Sequence, residues 1–373
     1  MRPLGLLLLS IVLWETPLLA QITSRPRVDH ARLADLVVNR TWQLAQGERV
    51  VIFWDPAADR GFAAPLRAAI QKAGADYREL VPPSAAEFKA MPEAEQDALK
   101  AGWEALFNET DAAIWLPLNR EVEGRLFERL VEKSRVRSIH YHWFLPSDRA
   151  EADTVERLYA AAIAVSPEVL LARIAAVERM VRGATVRVTA PNGTDLTFDV
   201  PANARVHRNT GSATRAKVSD ARSVRDREEE LPASLFRTTD LDNVRGTIVG
   251  YSSFDTRSPA IRAMFVGGSV AKLEGLQGQP EVVTRWQAAT GDKALPAEFI
   301  ISTNPELPAV LRSGFMPYYG YGAGVVRLAI GDNWESGGTN RSSNGEVLFF
   351  LPNATVTANG VVLVKDGKLQ FGN

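Results

Sequence analysis

Residues 49–54 read Arg-Val-Val-Ile-Phe-Trp, an apolar, β-branched run that Asp55-Pro56 breaks at once. A run apolar at almost every position suits a strand covered on both faces, as in a buried parallel sheet. Working outward, residues 31–45 have helical spacing, with Leu33, Leu36, Val37 and Leu44 on one stripe and Gly47 after them. Downstream, Phe62–Ala73 reads as a helix closed by Gly74, and Tyr77–Val81 as a strand stopped by Pro82-Pro83. A charged helix over 85–107, a strand over 111–117, a helix over 121–133 and a strand over 138–144 follow. This alternation predicts an open α/β sheet domain for residues 31–150. No strand-to-helix junction carries a glycine-rich phosphate loop, so a dinucleotide site has no support. His140 and His142 sit two apart on a predicted strand and so share a face. A metal pair needs further ligands at workable spacing; with none nearby, a hydrogen-bonded or solvated strand face is preferred.

Beyond 150 the pattern changes. Residues 151–183 form linking helices, and the second opens on Ser166-Pro167-Glu168: a capping hydroxyl, a proline in the first turn and an acid at the positive helix end. Residues 184–373 are expected to be β-rich, with strands at 185–189 and 194–199 joined through Asn192-Gly193. Further strands are predicted at 246–251, 260–266, 270–273, 299–302, 325–330 and 347–351, with hairpins at Asn359-Gly360 and Asp366-Gly367. Residues 203–230 are polar and end in R-D-R-E-E-E, which reads as a solvated loop.

The chain has 373 residues, long enough for two cores, and a formal net charge of -1. That balance gives no electrostatic reason to expect nucleic acid or an anionic membrane as partner. There is no cysteine, which removes disulfides, thiol catalysis and zinc–thiolate sites. Residues 1–20 have a basic start, an apolar core too short to span a bilayer comfortably, and Ala20 at a cleavage point. They are read as a signal peptide, so the mature protein is expected to be periplasmic or secreted, with no stable membrane span.

The candidate site lies in the last quarter. Between Glu298 and Asn353, three apolar runs each end in a turn rich in Gly, Asn, Ser or Pro, with polar side chains at or between them. Ala297-Glu-Phe through Thr303-Asn-Pro305, Gly324-Val-Val-Arg-Leu-Ala-Ile-Gly331 and Gly337-Gly-Thr-Asn-Arg-Ser342 resemble segments of the metallo-aminopeptidases of the aminopeptidase T type. Leu44-Ala-Gln-Gly-Glu-Arg-Val-Val-Ile52 and Leu231-Pro232 resemble two more. The resemblance implies an aminopeptidase T-like fold: an α/β domain followed by a β-rich (α+β) domain. It also implies a site in which two divalent metals, held by carboxylates and imidazoles, activate water. Position by position, only Glu298 matches a family ligand well. Leu235 stands where a ligand Glu is expected, Arg327 where a His is expected, and Asn344-Gly345-Glu346-Val347 where the family has His-x-Asp. The four histidines, His30, His140, His142 and His207, all precede residue 208, so realignment within the last half does not restore the imidazoles.

A fixed guanidinium repels a dication, so Arg327 is expected to neutralise Glu298 by an ion pair in a degenerate dimetal site. The first reading is therefore an exported aminopeptidase-related protein with little or no peptidase activity and no cofactor. A second is an active hydrolase in which Glu298, Glu346 and Asp332 hold zinc, cobalt or manganese through oxygen. A third is a binding protein that uses Arg327, Asn340, Tyr319 and Tyr321 to hold a carboxylate-bearing peptide or small acid. Family precedent also suggests a homodimer.

Overall fold

The computed structural model describes residues 28–371 apart from Arg120, Glu121, Glu123, Gly124, His142, Ala233, Gln279 and Asn344. The signal-peptide reading, His142 and Asn344 thus lie outside the described residues. The architecture is mixed α/β, with a parallel sheet and a curled antiparallel sheet. Strands Asp76–Leu80, Arg49–Phe53, Ala112–Trp115, Arg137–Tyr141 and Glu228–Leu231 lie in that order, all parallel. Helices cover both faces. Leu33, Val38, Leu66 and Ile70 pack on one, and Phe88, Phe107, Phe127 and Val131 on the other. This is why Val50-Val51-Ile52-Phe53 is buried throughout and carries no polar alternation.

The expected helix over 85–107 is two helices, Ala85–Ala90 and Glu93–Asn108. Pro92 separates them because it lacks the N–H that a continuous helix would use there. The expected helix over 31–45 is α-helical only from His30 to Leu36 and continues as a π-helical segment, Val37–Trp42. The helix from Pro167 to Val181 begins as read, with Val169 N–H donating to Ser166 Oγ, 3.4 Å.

The antiparallel sheet curls around Ile174, Val177 and Val181 of that helix and a core that includes Phe198, Phe236 and Phe299. The hairpins at Asn192-Gly193, Asn359-Gly360 and Asp366-Gly367 join consecutive strands as expected. Strands Val206–Asn209, Leu235–Thr238, Pro296–Ser302, Val326–Gly331 and Glu346–Leu351 form one end of the sheet.

The solvated-loop reading of 203–230 is overturned. The segment holds a strand, two short helices and the edge strand of the parallel sheet, Glu228–Leu231. Glu228, Glu229 and Glu230 are 1%, 0% and 6% exposed. From Leu231 the chain passes directly into Leu235–Thr238 of the antiparallel sheet. The three glutamates therefore end at the seam between the two sheets.

Candidate functional site

Strand register brings the site together. In the parallel sheet His140 lies beside Glu230, and Glu228 stands two residues earlier on the same face. Glu229 points the opposite way, accepts from Gly211 N–H at 2.6 Å and pairs with Lys217. In the antiparallel sheet Arg237 and Arg327 both lie opposite Ile300, two residues from Glu298 on the same strand face. Arg237 joins the two sheets. It is fully buried, with Nη2 3.0 Å from Glu230 Oε2 and Nε 3.4 Å from Glu298 Oε2. Arg225, on the short helix before Glu228, pairs with Glu228 and reaches Glu335 Oε2 at 2.5 Å and Glu230 Oε1 at 3.6 Å. Arg125 extends from the α/β side to Glu335 Oε1 at 2.9 Å, Asp332 Oδ2 at 3.7 Å and Glu346 Oε1 at 3.8 Å. The ion pair expected from the sequence forms: Arg327 Nη2 is 3.4 Å from Glu298 Oε2. Ser336 Oγ donates to the other Glu298 oxygen, and the Arg327 guanidinium lies 4.8 Å from the Tyr321 ring centre.

Burying charge is unfavourable unless it is paired, and the pairs decide which groups keep their charge. Burial pushes the Glu298 carboxyl upward, but Arg237, Arg327 and Arg225 outweigh it and hold it below the usual carboxylate range. Glu230 is likewise depressed, by Arg237 and Arg225 against burial. Burial pulls the His140 imidazole down, yet Glu228, with Oε2 2.9 Å from His140 Nε2, brings it above its ordinary value. Two acids go the other way. Glu128 is pushed up to about 7 by burial and by Glu335. Glu346 is raised by burial and by Glu298. Glu128, Glu228, Glu230, Glu298, Asp332, Glu335 and Glu346 supply seven carboxyl groups against the four guanidiniums of Arg125, Arg225, Arg237 and Arg327, and Glu128 and Glu346 are the two whose protonated form burial favours.

These groups surround a recess of about 160 Å³ lined by Trp115, Arg125, Glu128, His140, Tyr319 and Glu346, among others. Trp115, Arg125 and Tyr319 also line a cleft of about 540 Å³, whose other walls include Trp54, Phe62, Tyr141, Trp143 and Phe144. Phe62, Tyr141 and Trp143 stack in series, at 4.2 Å and 5.0 Å between ring centres. Tyr319 closes the junction from a left-handed backbone conformation, φ 51°, and Tyr318 before it has φ 45°. Non-glycine residues are held there only by their surroundings. Here Tyr318 N–H donates to Tyr159 Oη at 2.8 Å and Tyr318 Oη to the His140 carbonyl at 3.0 Å. Gly320 cannot carry a side chain, since a Cβ would stand 2.6 Å from the Phe350 ring.

Of the residues singled out from sequence, Glu346, Arg327, Tyr319 and Tyr321 line the recess, and Glu298 lies behind it on Arg237 and Arg327. Asp332 stands to one side, where its Oδ1 accepts from Ser342 N–H. Asn340 is engaged with backbone, its side-chain amide donating to the Pro296 carbonyl at 2.9 Å. Leu235 is fully buried in the α/β core. Sequence reasoning missed Arg125, Glu128, Arg225, Glu228, Glu230 and Arg237. The one signal in the chain was R-D-R-E-E-E standing directly before the apolar pair Leu231-Pro232.

The donor set does not fit a divalent metal. Glu230, Glu298 and Glu335 each face a guanidinium, which takes their lone pairs and repels a dication. His140 is directed to Glu228. Among the described residues, no group of three or more His, Asp or Glu side chains is arranged to hold an ion.

No protein-family model matches the chain, and no curated protein matches it. Solved structures do. The chain resembles AmpT, aminopeptidase T, from Thermus thermophilus with a TM-score of 0.63 at 16% identity, covering 92% of this chain and 99% of that one. It resembles 2,5-dihydroxypyridine dioxygenase from Pseudomonas putida KT2440 equally, with a TM-score of 0.63 at 14% identity and coverage of 92% and 97%. Identity this low shows a shared fold, and the two neighbours are named for different chemistries. The chain thus has an aminopeptidase T-like fold of distant relationship.

Proposed function

We propose that this is an exported, aminopeptidase-related protein in which guanidinium groups fill the place of a dimetal centre. It has little or no peptidase activity and keeps the cleft as a ligand-binding site. The observation that carries this reading is Arg237, fully buried between Glu230 and Glu298, with Arg327 on the same Glu298 carboxylate. A bridging carboxylate that a metal had held would be left as an unpaired buried charge without it; the arginines supply that pairing within the chain. The aminopeptidase likeness supports peptidase ancestry, while the arginines argue against metal-activated water in this chain. The periplasmic or secreted location rests on residues 1–20.

Metal analysis of the purified mature protein, with peptidase assays in added zinc, cobalt or manganese, tests the reading. Substoichiometric metal is expected, with activity on aminoacyl substrates unchanged by chelator. Stoichiometric metal removed together with activity would instead favour an oxygen-ligand site at Glu298, Glu346 and Asp332.

A further inference from the structure

We propose that the recess and the cleft form one site for a protonated amine carrying an aromatic or apolar body. The ammonium lodges at Glu128 and the body lies along Trp115 and Tyr319. The inference rests on the arginine-filled centre proposed above and names the class of ligand that centre would take.

Charge comes first. The cluster holds more carboxyl groups than guanidiniums, so an arriving cation finds an acid to pair with. The guanidiniums that would recognise a carboxylate already face acids: Arg125 faces Glu335, Asp332 and Glu346, Arg237 faces Glu230 and Glu298, Arg225 faces Glu228 and Glu335, and Arg327 faces Glu298 and the Tyr321 ring.

Glu128 supplies the second, independent observation. It projects from the helix Leu126–Lys133 and lines the recess with its side chain nine-tenths buried. Among the described residues its Oε2 has no hydrogen-bond partner, and its Oε1 lies 3.7 Å from His140 Nε2. A buried carboxylate oxygen without a donor is costly, and a ligand N–H removes that cost. An ammonium fits this need better than a metal ion. It carries one charge rather than two beside the arginines, and it donates directional hydrogen bonds.

Shape and wall chemistry set the rest of the ligand. The recess of about 160 Å³ takes a small head group, and the adjoining cleft of about 540 Å³ takes a body of small-molecule size. The shared wall is aromatic, with Trp115 and Tyr319 at the junction and Trp143 and Phe144 beyond. Aromatic faces attract an organic cation and cover apolar surface.

Calorimetric titration of the mature protein in chelator, with 2-phenylethylamine, 2-phenylethanol and 3-phenylpropionate as probes, tests the proposal. The amine is expected to bind at least ~10-fold more tightly than the alcohol or the acid, as a hydrogen bond to a charged group implies. Glu128→Gln, with an unchanged circular dichroism spectrum, should remove that preference, and Trp115→Leu should weaken all binding through the body. Equal affinity for amine and alcohol, preference for the acid, or an amine affinity unmoved by Glu128→Gln would overturn the proposal. The comparison of probes on the unmutated protein stands even if a variant fails to fold. Failure of amine binding in metal-free protein sinks this inference alone. Amine binding that appears only after zinc is added sinks it together with the arginine-filled centre.

Discussion

The recess and the cleft share Trp115, Arg125 and Tyr319 but are built by opposite rules. The recess is a network of buried charges in which guanidiniums bridge acids, as Arg237 serves Glu230 and Glu298. The cleft is a stack of rings in which Phe62, Tyr141 and Trp143 contact one another without charge. Charge networks fail when one partner is removed, because the remaining charge stays buried. Stacked apolar walls lose contacts in proportion to what is cut away. The difference teaches that the recess is fixed by stability, while the cleft has room to vary.

The comparison breaks most severely at Arg237. Arg237→Met is expected to lower unfolding free energy by about 3–5 kcal/mol, measured by urea denaturation, because Glu230 and Glu298 lose their common partner. Adding Glu298→Gln should recover part of that loss, since the two changes act on one network. If Arg237→Met alone were neutral, the recess would be no more demanding than the cleft.

A smaller effect is expected from pH. Glu128 titrates at about 7 in the folded chain against an ordinary value of 4.5. Between those values the folded chain holds a proton that the unfolded chain has released, so stability falls as pH rises through this window. His140, raised above 6.5, acts in the same direction: its contribution is complete below that value and is lost above it. Glu128→Gln should remove the first loss, so its advantage in Tm over the parent grows by a few degrees, ~2–5 °C, from acid to mildly basic buffer. A constant difference across pH would show that Glu128 is not the titrating group.

Tyr319→Ala sharpens the cleft side. It removes edge contacts to Phe144 at 4.5 Å and Phe254 at 5.3 Å and also relieves little of the left-handed backbone strain. A loss of about 1–2 kcal/mol is expected by the same denaturation, below that for Arg237. The smallest effect is reserved for a pair outside both regions. Arg187 and Asp195 form a bidentate contact at 2.8 Å, and both are exposed. Arg187→Ala should leave the melting temperature unchanged within error, as solvent screens such pairs.

Much of the fold is legible in the residues themselves. Arg49-Val-Val-Ile-Phe-Trp54 announces a covered strand because nothing in it alternates, and the Ser166-Pro167-Glu168 cap fixes a helix start from local hydrogen bonding alone. The turns at Asn359-Gly360 and Asp366-Gly367 are also local, since all four residues adopt positive φ. Of the site, the Glu298–Arg327 pair was within reach, because neighbouring strands of one hairpin-rich sheet set two alternating faces side by side.

The remainder of the site was decided by tertiary structure. Glu228-Glu229-Glu230 looks solvated in isolation, because three adjacent acids repel one another and favour water. They become interior residues only when Arg225, Lys217, Arg237 and His140 arrive from other elements to pair with them. A residue's intrinsic preference is local and can be read in order along the chain. The free energy of a buried charge belongs to its partners, and their identity is set by how two sheets meet at Leu231.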